Sequence, residues 1–207
     1  MQKSFRVGTV LLAILMLAAC ASVESDGQPA MEKGFGVFSI IKEDRNMAVV
    51  VDYELALQRK DEFYFPLEVK IVNKRLEGLT LDRESFILVD ENGEVYNMAE
   101  KEELEMYYDK LALDHRFKGQ TGLLGDQVLT SFSYYRRAES NFFPYTQGAA
   151  RTYDDVYVRN KGFMEDLIYF PKPPDGLEGT LLRLRIGALE LEVPYEIRFV
   201  VGLKKKG

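Results

Sequence analysis

The chain has 207 residues, with 27 Lys and Arg against 33 Asp and Glu, a formal net charge of -6, one histidine, one cysteine and no tryptophan. That cysteine and histidine usage excludes an internal disulfide and any catalytic or metal centre assembled from several histidines or thiolates. The acidic balance disfavours nucleic acid, whose phosphates must be met by Lys and Arg.

The sole cysteine, Cys20, closes an apolar run at the amino end. Lys3 and Arg6 give a positive start, and Val7 to Leu17 is almost unbroken apolar sequence. That run is too short to span a ~30 Å hydrocarbon core as a helix. Ala18 and Ala19 then supply the small residues of a secretory cleavage site. The stretch Leu17-Ala18-Ala19-Cys20 resembles the lipobox of bacterial lipoproteins. The resemblance implies that residues 1–19 are a signal peptide, that the Cys20 thiol carries a diacylglycerol, and that the new amino terminus is acylated. Two or three chains hold far longer than one, at about 0.8 kcal/mol per buried methylene. With Cys20 acylated, the mature chain has no thiol. Ala21 stands where the inner-membrane retention signal of enteric bacteria would place Asp. The expected address is therefore the cell envelope, on the outer membrane if the host is Gram-negative. The net negative charge gives little help at anionic head groups, so the lipid is expected to do the anchoring.

Residues 20–33 are polar, small and weakly patterned, and read as a tether. Strand patterns follow at Gly36 to Lys42, at Met47 to Leu57, and at Phe63 to Asn73. In the last of these Phe65, Leu67, Val69 and Ile71 alternate with Glu68 and Lys70, so one face is expected to be buried against an opposite sheet and the other wet, while Pro66 suits an edge or a bulge. Ser85 to Met98 reads as a hairpin about Asn92-Gly93. The period then changes. Leu104, Tyr107, Tyr108, Leu111 and His115 recur at helical spacing, so Met98 to Gly119 is expected to be one helix ending at Gly119. A Gly-, Ser- and aromatic-rich stretch runs from Gln120 to Lys161. Strand alternation returns at Leu182, Leu184 and Ile186, and again at Leu189, Leu191 and Val193, before a basic tail at residues 204–207. Many short strands with one helical interruption predict a mainly β protein: an antiparallel β-sandwich over residues 34–203, with an α-helical and aromatic insertion at about 99–162.

Phe86, Leu88, Asp90, Gly93 and Tyr96, with Phe170-Pro171 later in the chain, fit a recurring hairpin and strand pattern. On these residues the chain resembles the telokin-like, immunoglobulin-like domains of secreted bacterial lipoproteins, from Ala48 to Met98 and from Phe163 to Val201. The resemblance implies an immunoglobulin-like sandwich and an envelope address. It implies no activity, and does not extend to the insertion.

Asp90-Glu91-Asn92-Gly93 lacks calcium-loop spacing, since Lys101 stands where a twelfth-position glutamate is required. A hairpin turn is the simpler reading, as solvated surface is for Asp154-Asp155. The glycines between Gly119 and Gln127 have no following Lys-Ser or Lys-Thr, so they make no phosphate loop. His115 has no second histidine to partner it, and Ser131, Ser133 and Ser140 lack a nucleophile elbow. No cofactor or metal is implied. The functional candidates are Tyr134, Tyr135, Arg136, Arg137, Phe142, Phe143 and Tyr145, because rings and guanidinium groups together are enriched at binding hot spots. The alternative is that these rings cover the edge of the sandwich. The expected function is a non-catalytic binding or assembly module with an envelope protein partner. A small-molecule or glycan-binding lipoprotein is the alternative, and a hydrolase with a carboxylate pair the remote one.

Overall fold

The computed structural model describes residues 31–34, 37–114, 134–143 and 152–202. Cys20, His115, Ser131, Ser133, Tyr145, the segment 119–127 and the basic tail lie outside the described residues. The fold is mainly β, an antiparallel sandwich of two principal sheets. The larger has six strands in the order β1 (Met31–Gly34), β2 (Ser39–Glu43), β3 (Met47–Asp52), β4 (Tyr64–Asn73), β10 (Gly162–Pro171) and β8 (Arg136–Arg137). The smaller has four, in the order β12 (Tyr195–Val200), β11 (Leu181–Ile186), β6 (Phe86–Val89) and β7 (Val95–Asn97). A third, two-stranded sheet pairs β5 (Thr80–Asp82) with β9 (Asp155–Tyr157). One pairing is parallel, that of β8 with β10.

The spine of the larger sheet is the β4–β10 ladder, ten residues paired from Tyr64↔Pro171 to Asn73↔Gly162. Phe65, Leu67, Val69 and Ile71 point between the sheets, as the alternation predicts, and meet Phe86, Leu88, Leu182, Leu184, Ile186 and Ile197 in the main core. The opposite face was expected to be wet. Instead Pro66, Glu68, Lys70 and Val72 are buried too. A second apolar cluster covers part of that face, formed by Leu55, Ala99, Leu104, Leu111, Phe143, Leu167 and Tyr169.

Four sequence expectations need correction. The tether stops short of Lys33, because β1 already pairs with β2 from Met31↔Glu43 to Gly34↔Ile40. The third strand ends at Asp52 rather than Leu57. The Asp52 carboxylate accepts the Glu54 N–H at 2.9 Å and the chain turns into α1 (Glu54–Gln58). The single helix expected from Met98 is two short ones, α2 (Lys101–Met106) and α3 (Tyr108–Leu111), broken at Tyr107, whose ψ of 13° leaves helical geometry. At the start of α2 the Glu103 carboxylate accepts the Glu100 N–H at 2.9 Å, one half of a capping box. Finally, Leu189, Leu191 and Val193 form no strand. They lie in the β11–β12 loop, where Leu191 packs against the core and Leu189 and Val193 are exposed.

The hairpin stands as expected. Gly93 adopts φ +86°, which only glycine takes readily. The buried Asp90 carboxylate accepts N–H bonds from Asn92 (2.8 Å) and Glu94 (2.9 Å), and the Tyr96 hydroxyl donates to it at 3.0 Å. Burial alone would raise the Asp90 pKa, but these bonds outweigh it and the net direction is downward. A lowered folded-state pKa stabilises the protein above the ordinary carboxylate range and stops doing so as pH falls through it. Asp90→Asn is expected to cost about 1–3 kcal/mol at neutral pH. Urea unfolding at successive pH values should show the gap to wild type closing as the Asp90 carboxyl of the wild-type protein takes up its proton.

Candidate functional site

The insertion is fastened to the sandwich at two points, its start and Phe142, by one residue. Arg83, buried in the β5–β6 connection, donates to the carbonyl of Ala99 at 2.7 Å and to that of Phe142. Burial pulls the Arg83 pKa down, against the carboxylates of Glu100 and Asp154. A guanidinium keeps its proton in such a place. From β10 the Asp166 carboxylate accepts the Phe142 N–H at 3.0 Å. Backbone held on both sides in this way fixes the ring, and Phe142 packs edge-on against Phe86, centroids 5.8 Å apart.

This fastening divides the aromatic candidates. Phe142 is 0% exposed and belongs to the main core. Phe143 is buried in the second cluster, its ring 5.2 Å from that of Tyr169. Neither is available to a partner on the folded protein, which corrects the expectation for these two. Their role is structural, since each packs against a different face of the larger sheet. Tyr134 is 94% exposed, Tyr135 is half-buried, and Arg136 and Arg137 are both exposed on the short edge strand β8. Tyr145 lies outside the described residues.

A second latch holds the helical cover. The Arg59 guanidinium, just beyond α1, donates to Asp114 Oδ1 from Nε at 2.9 Å and from Nη2 at 2.7 Å, and to the Lys110 carbonyl at 3.0 Å. The Tyr169 hydroxyl donates to the other Asp114 oxygen at 3.2 Å. Burial pushes the Asp114 carboxyl up against the pull of Arg59, while the bond to Asp114 raises the Arg59 pKa. The sequence gives no sign of this triad, whose members come from three distant segments.

Beside the latch lies an aromatic surface. The Tyr107 ring, at the break between α2 and α3, sits 5.6 Å from Phe63 and 5.3 Å from Tyr64. Phe63 is 68% exposed, and Met106, next to Tyr107 in the chain, is 75% exposed. Lys110 and Glu62 pair at 3.4 Å beside it. Burial raises the Tyr64 pKa, helped by Glu103. The helix pattern pointed to Tyr107, but Phe63 precedes a strand and joins it only through the fold.

On the outer face of the larger sheet, Lys70 lies 3.6 Å from Glu68 and 4.0 Å from Glu165, all three buried. Burial also raises the pKa of Asp52, against the hydrogen bond donated by the Ser39 hydroxyl. Among the described residues no three His, Cys, Asp or Glu side chains are placed to hold a metal ion, and no helix is long and apolar enough to cross a membrane. No family model, curated protein or solved structure matches this chain.

Asp114→Ala removes both halves of the latch and leaves the Tyr169 hydroxyl buried without it. Arg59 is partly exposed, so the cost should be about 1–3 kcal/mol rather than that of a fully buried pair. Hydrogen exchange is expected to quicken at the Leu104 and Leu111 amides while those of β4 stay protected.

Proposed function

We propose that this protein is a lipid-anchored lipoprotein of a bacterial cell envelope, held through Cys20 and acting as a non-catalytic binding module for an envelope protein. The observation that carries the partner role is the aromatic surface of Phe63, Tyr64, Met106 and Tyr107. Two large apolar side chains stand open there beside two half-buried rings, on a scaffold fixed by the Arg59–Asp114–Tyr169 latch. Aromatic and Met side chains on a rigid support are the composition of interface cores, where a few anchors carry most of the affinity.

The surface also lies at the favourable end of the molecule. β1 enters the larger sheet with Met31 beside Glu43, at the end where β4 finishes with Asn73. Phe63 and Tyr64 stand where β4 begins. Ten residues of strand, about 33 Å, separate the two ends. A chain tethered through its amino end would hold the Phe63 surface outward.

The test is photo-crosslinking in native envelopes from a reporter placed at position 62. A protein adduct should form with the wild-type surface and fall at least tenfold when Phe63 and Met106 are both replaced by Ala, since each hot-spot truncation costs more than about 1 kcal/mol. An adduct that persists unchanged in the double variant would remove this surface from the proposal. The anchor is read separately, by incorporation of an alkyne-labelled fatty acid that Cys20→Ser abolishes.

A further inference from the structure

The acidic composition hides a segregated charge. Arg45 occupies the β2–β3 turn, Arg75 follows β4, Arg136 and Arg137 form β8, and Arg159 and Lys161 occupy the β9–β10 turn. Backbone hydrogen bonds tie these pieces into one end of the sandwich. Arg75 N–H donates to the Asn46 carbonyl at 3.2 Å, Asn160 N–H to that of Glu77 at 3.2 Å, and Arg136 N–H to that of Lys161 at 3.0 Å. All six cations are exposed, and none makes an ion pair with a carboxylate among the described residues.

Several acids of this end are engaged. Glu43 is paired with Lys74 at 2.7 Å, and Asp44 accepts the N–H groups of Asn46 and Met47. Glu190 accepts the Thr80 hydroxyl at 2.7 Å, an interaction that also places the β11–β12 loop here. Glu77, Glu190 and Glu192 are exposed, as is Glu139 two residues beyond Arg137, four acids against six exposed cations.

The same end carries open apolar groups. In the β11–β12 loop Leu189 is 99% exposed and Val193 73%. The start of β12, just past the loop, is held to this end by Lys42, whose ammonium donates to the Glu196 carbonyl at 2.5 Å. Exposed Tyr157 pairs with Thr80 across β5–β9, and its hydroxyl end lies against Gly78, where any Cβ would strike the ring. Tyr134 stands beside β8. Arg and Lys with Tyr rings and isolated aliphatic tips are what a membrane–water interface accommodates: cations at the head groups, rings at their level, tips below.

We infer that this end docks on an anionic lipid surface, so that the domain lies against the membrane in one orientation rather than only hanging from it. The inference rests on the proposed anchor for its geometry, since Met31 enters the fold at this end and ten residues, about 35 Å at full extension, separate it from Cys20. Charge complementarity selects the occupant. Unpaired cations on an acidic protein gain most at head-group phosphates, by about 1 kcal/mol each, with a reach limited to a Debye length of about 8–10 Å.

The experiment uses the full chain carrying Cys20→Ser, which removes the acyl chains and makes vesicle affinity measurable. Partition is compared between phosphatidylcholine vesicles and vesicles in which about a third of the lipid is phosphatidylglycerol. Arg75→Gln, Arg136→Gln and Arg137→Gln together should lower anionic-vesicle affinity about a hundredfold, roughly fivefold per cation. The amino-terminal residues are unchanged, so the ratio between the chains reads this end alone. Lys60→Gln, Lys101→Gln and Lys110→Gln make the same charge change at the Phe63 end and should move affinity less than twofold. Circular dichroism and urea midpoints check that both variants fold. Equal losses in the two variants, or no loss in either, overturn the inference, as does a protein crosslink lost from the arginine variant with vesicle binding intact. Fatty-acid labelling of wild-type Cys20 separates the two readings. Label without the arginine effect keeps the anchor and discards the surface; the arginine effect without label does the reverse.

Discussion

The β4–β10 ladder must be covered on both faces, and the rest of the structure follows from that requirement. The smaller sheet covers only one side. The other would leave Leu167 and Tyr169 in water, so a second layer is needed, and α2, α3 and Phe143 supply part of it. Burying apolar surface at about 25 cal/mol per Å² drives that closure, but it does not fix where the cover sits. Arg83 and the Arg59–Asp114–Tyr169 triad do so, because a buried polar group has few satisfactory positions. The insertion is thereby part of the fold, and it contributes strands β8 and β9 as well as helices.

Covering the second face has an electrostatic consequence. Glu68, Lys70 and Glu165 project from that face and become buried with it. Taking three charges out of water is costly, and their mutual attraction recovers the cost only with good geometry. A solvated face would have avoided it. Their arrangement is set within the sheet itself, by the β4–β10 register that places Glu165 opposite Lys70.

Charge is also sorted along the strands. The acidic total gives little attraction for phosphate, yet six exposed cations that pair with no carboxylate among the described residues gather at the end where the amino-terminal strand enters. The aromatic surface of Phe63 and Met106 lies about ten residues of strand away. The two ends thus have different chemistries, one suited to anionic head groups and the other to an apolar partner. The edge strand β8 bears directly on this, since Arg136 and Arg137 are on the basic end while Phe142 and Phe143, a few residues on, are core.

Much of the architecture was legible in the chain. Alternation at Phe65, Leu67, Val69 and Ile71 marks one face of a strand, and Asp90 with Gly93 specifies a turn through contacts only a few residues long. The amino-terminal pattern through Cys20 raises a definite expectation of address. Periodicity, however, reports which residues share a face and not whether that face is wet. Glu68 and Lys70 share the outer face as expected and are nonetheless buried, while Leu189 and Val193 alternate like a strand and are open to solvent. Phe142 and Phe143 resemble a binding cluster with Tyr134 until Arg83 and Asp166 draw the backbone into the core. The sequence by itself determined the Asp90–Gly93 turn and which residues of β4 share a face, because turns and alternation depend on neighbours. Only the tertiary structure decided what is buried, which cations stand together and which rings remain free, because those depend on segments a hundred residues apart meeting at one surface.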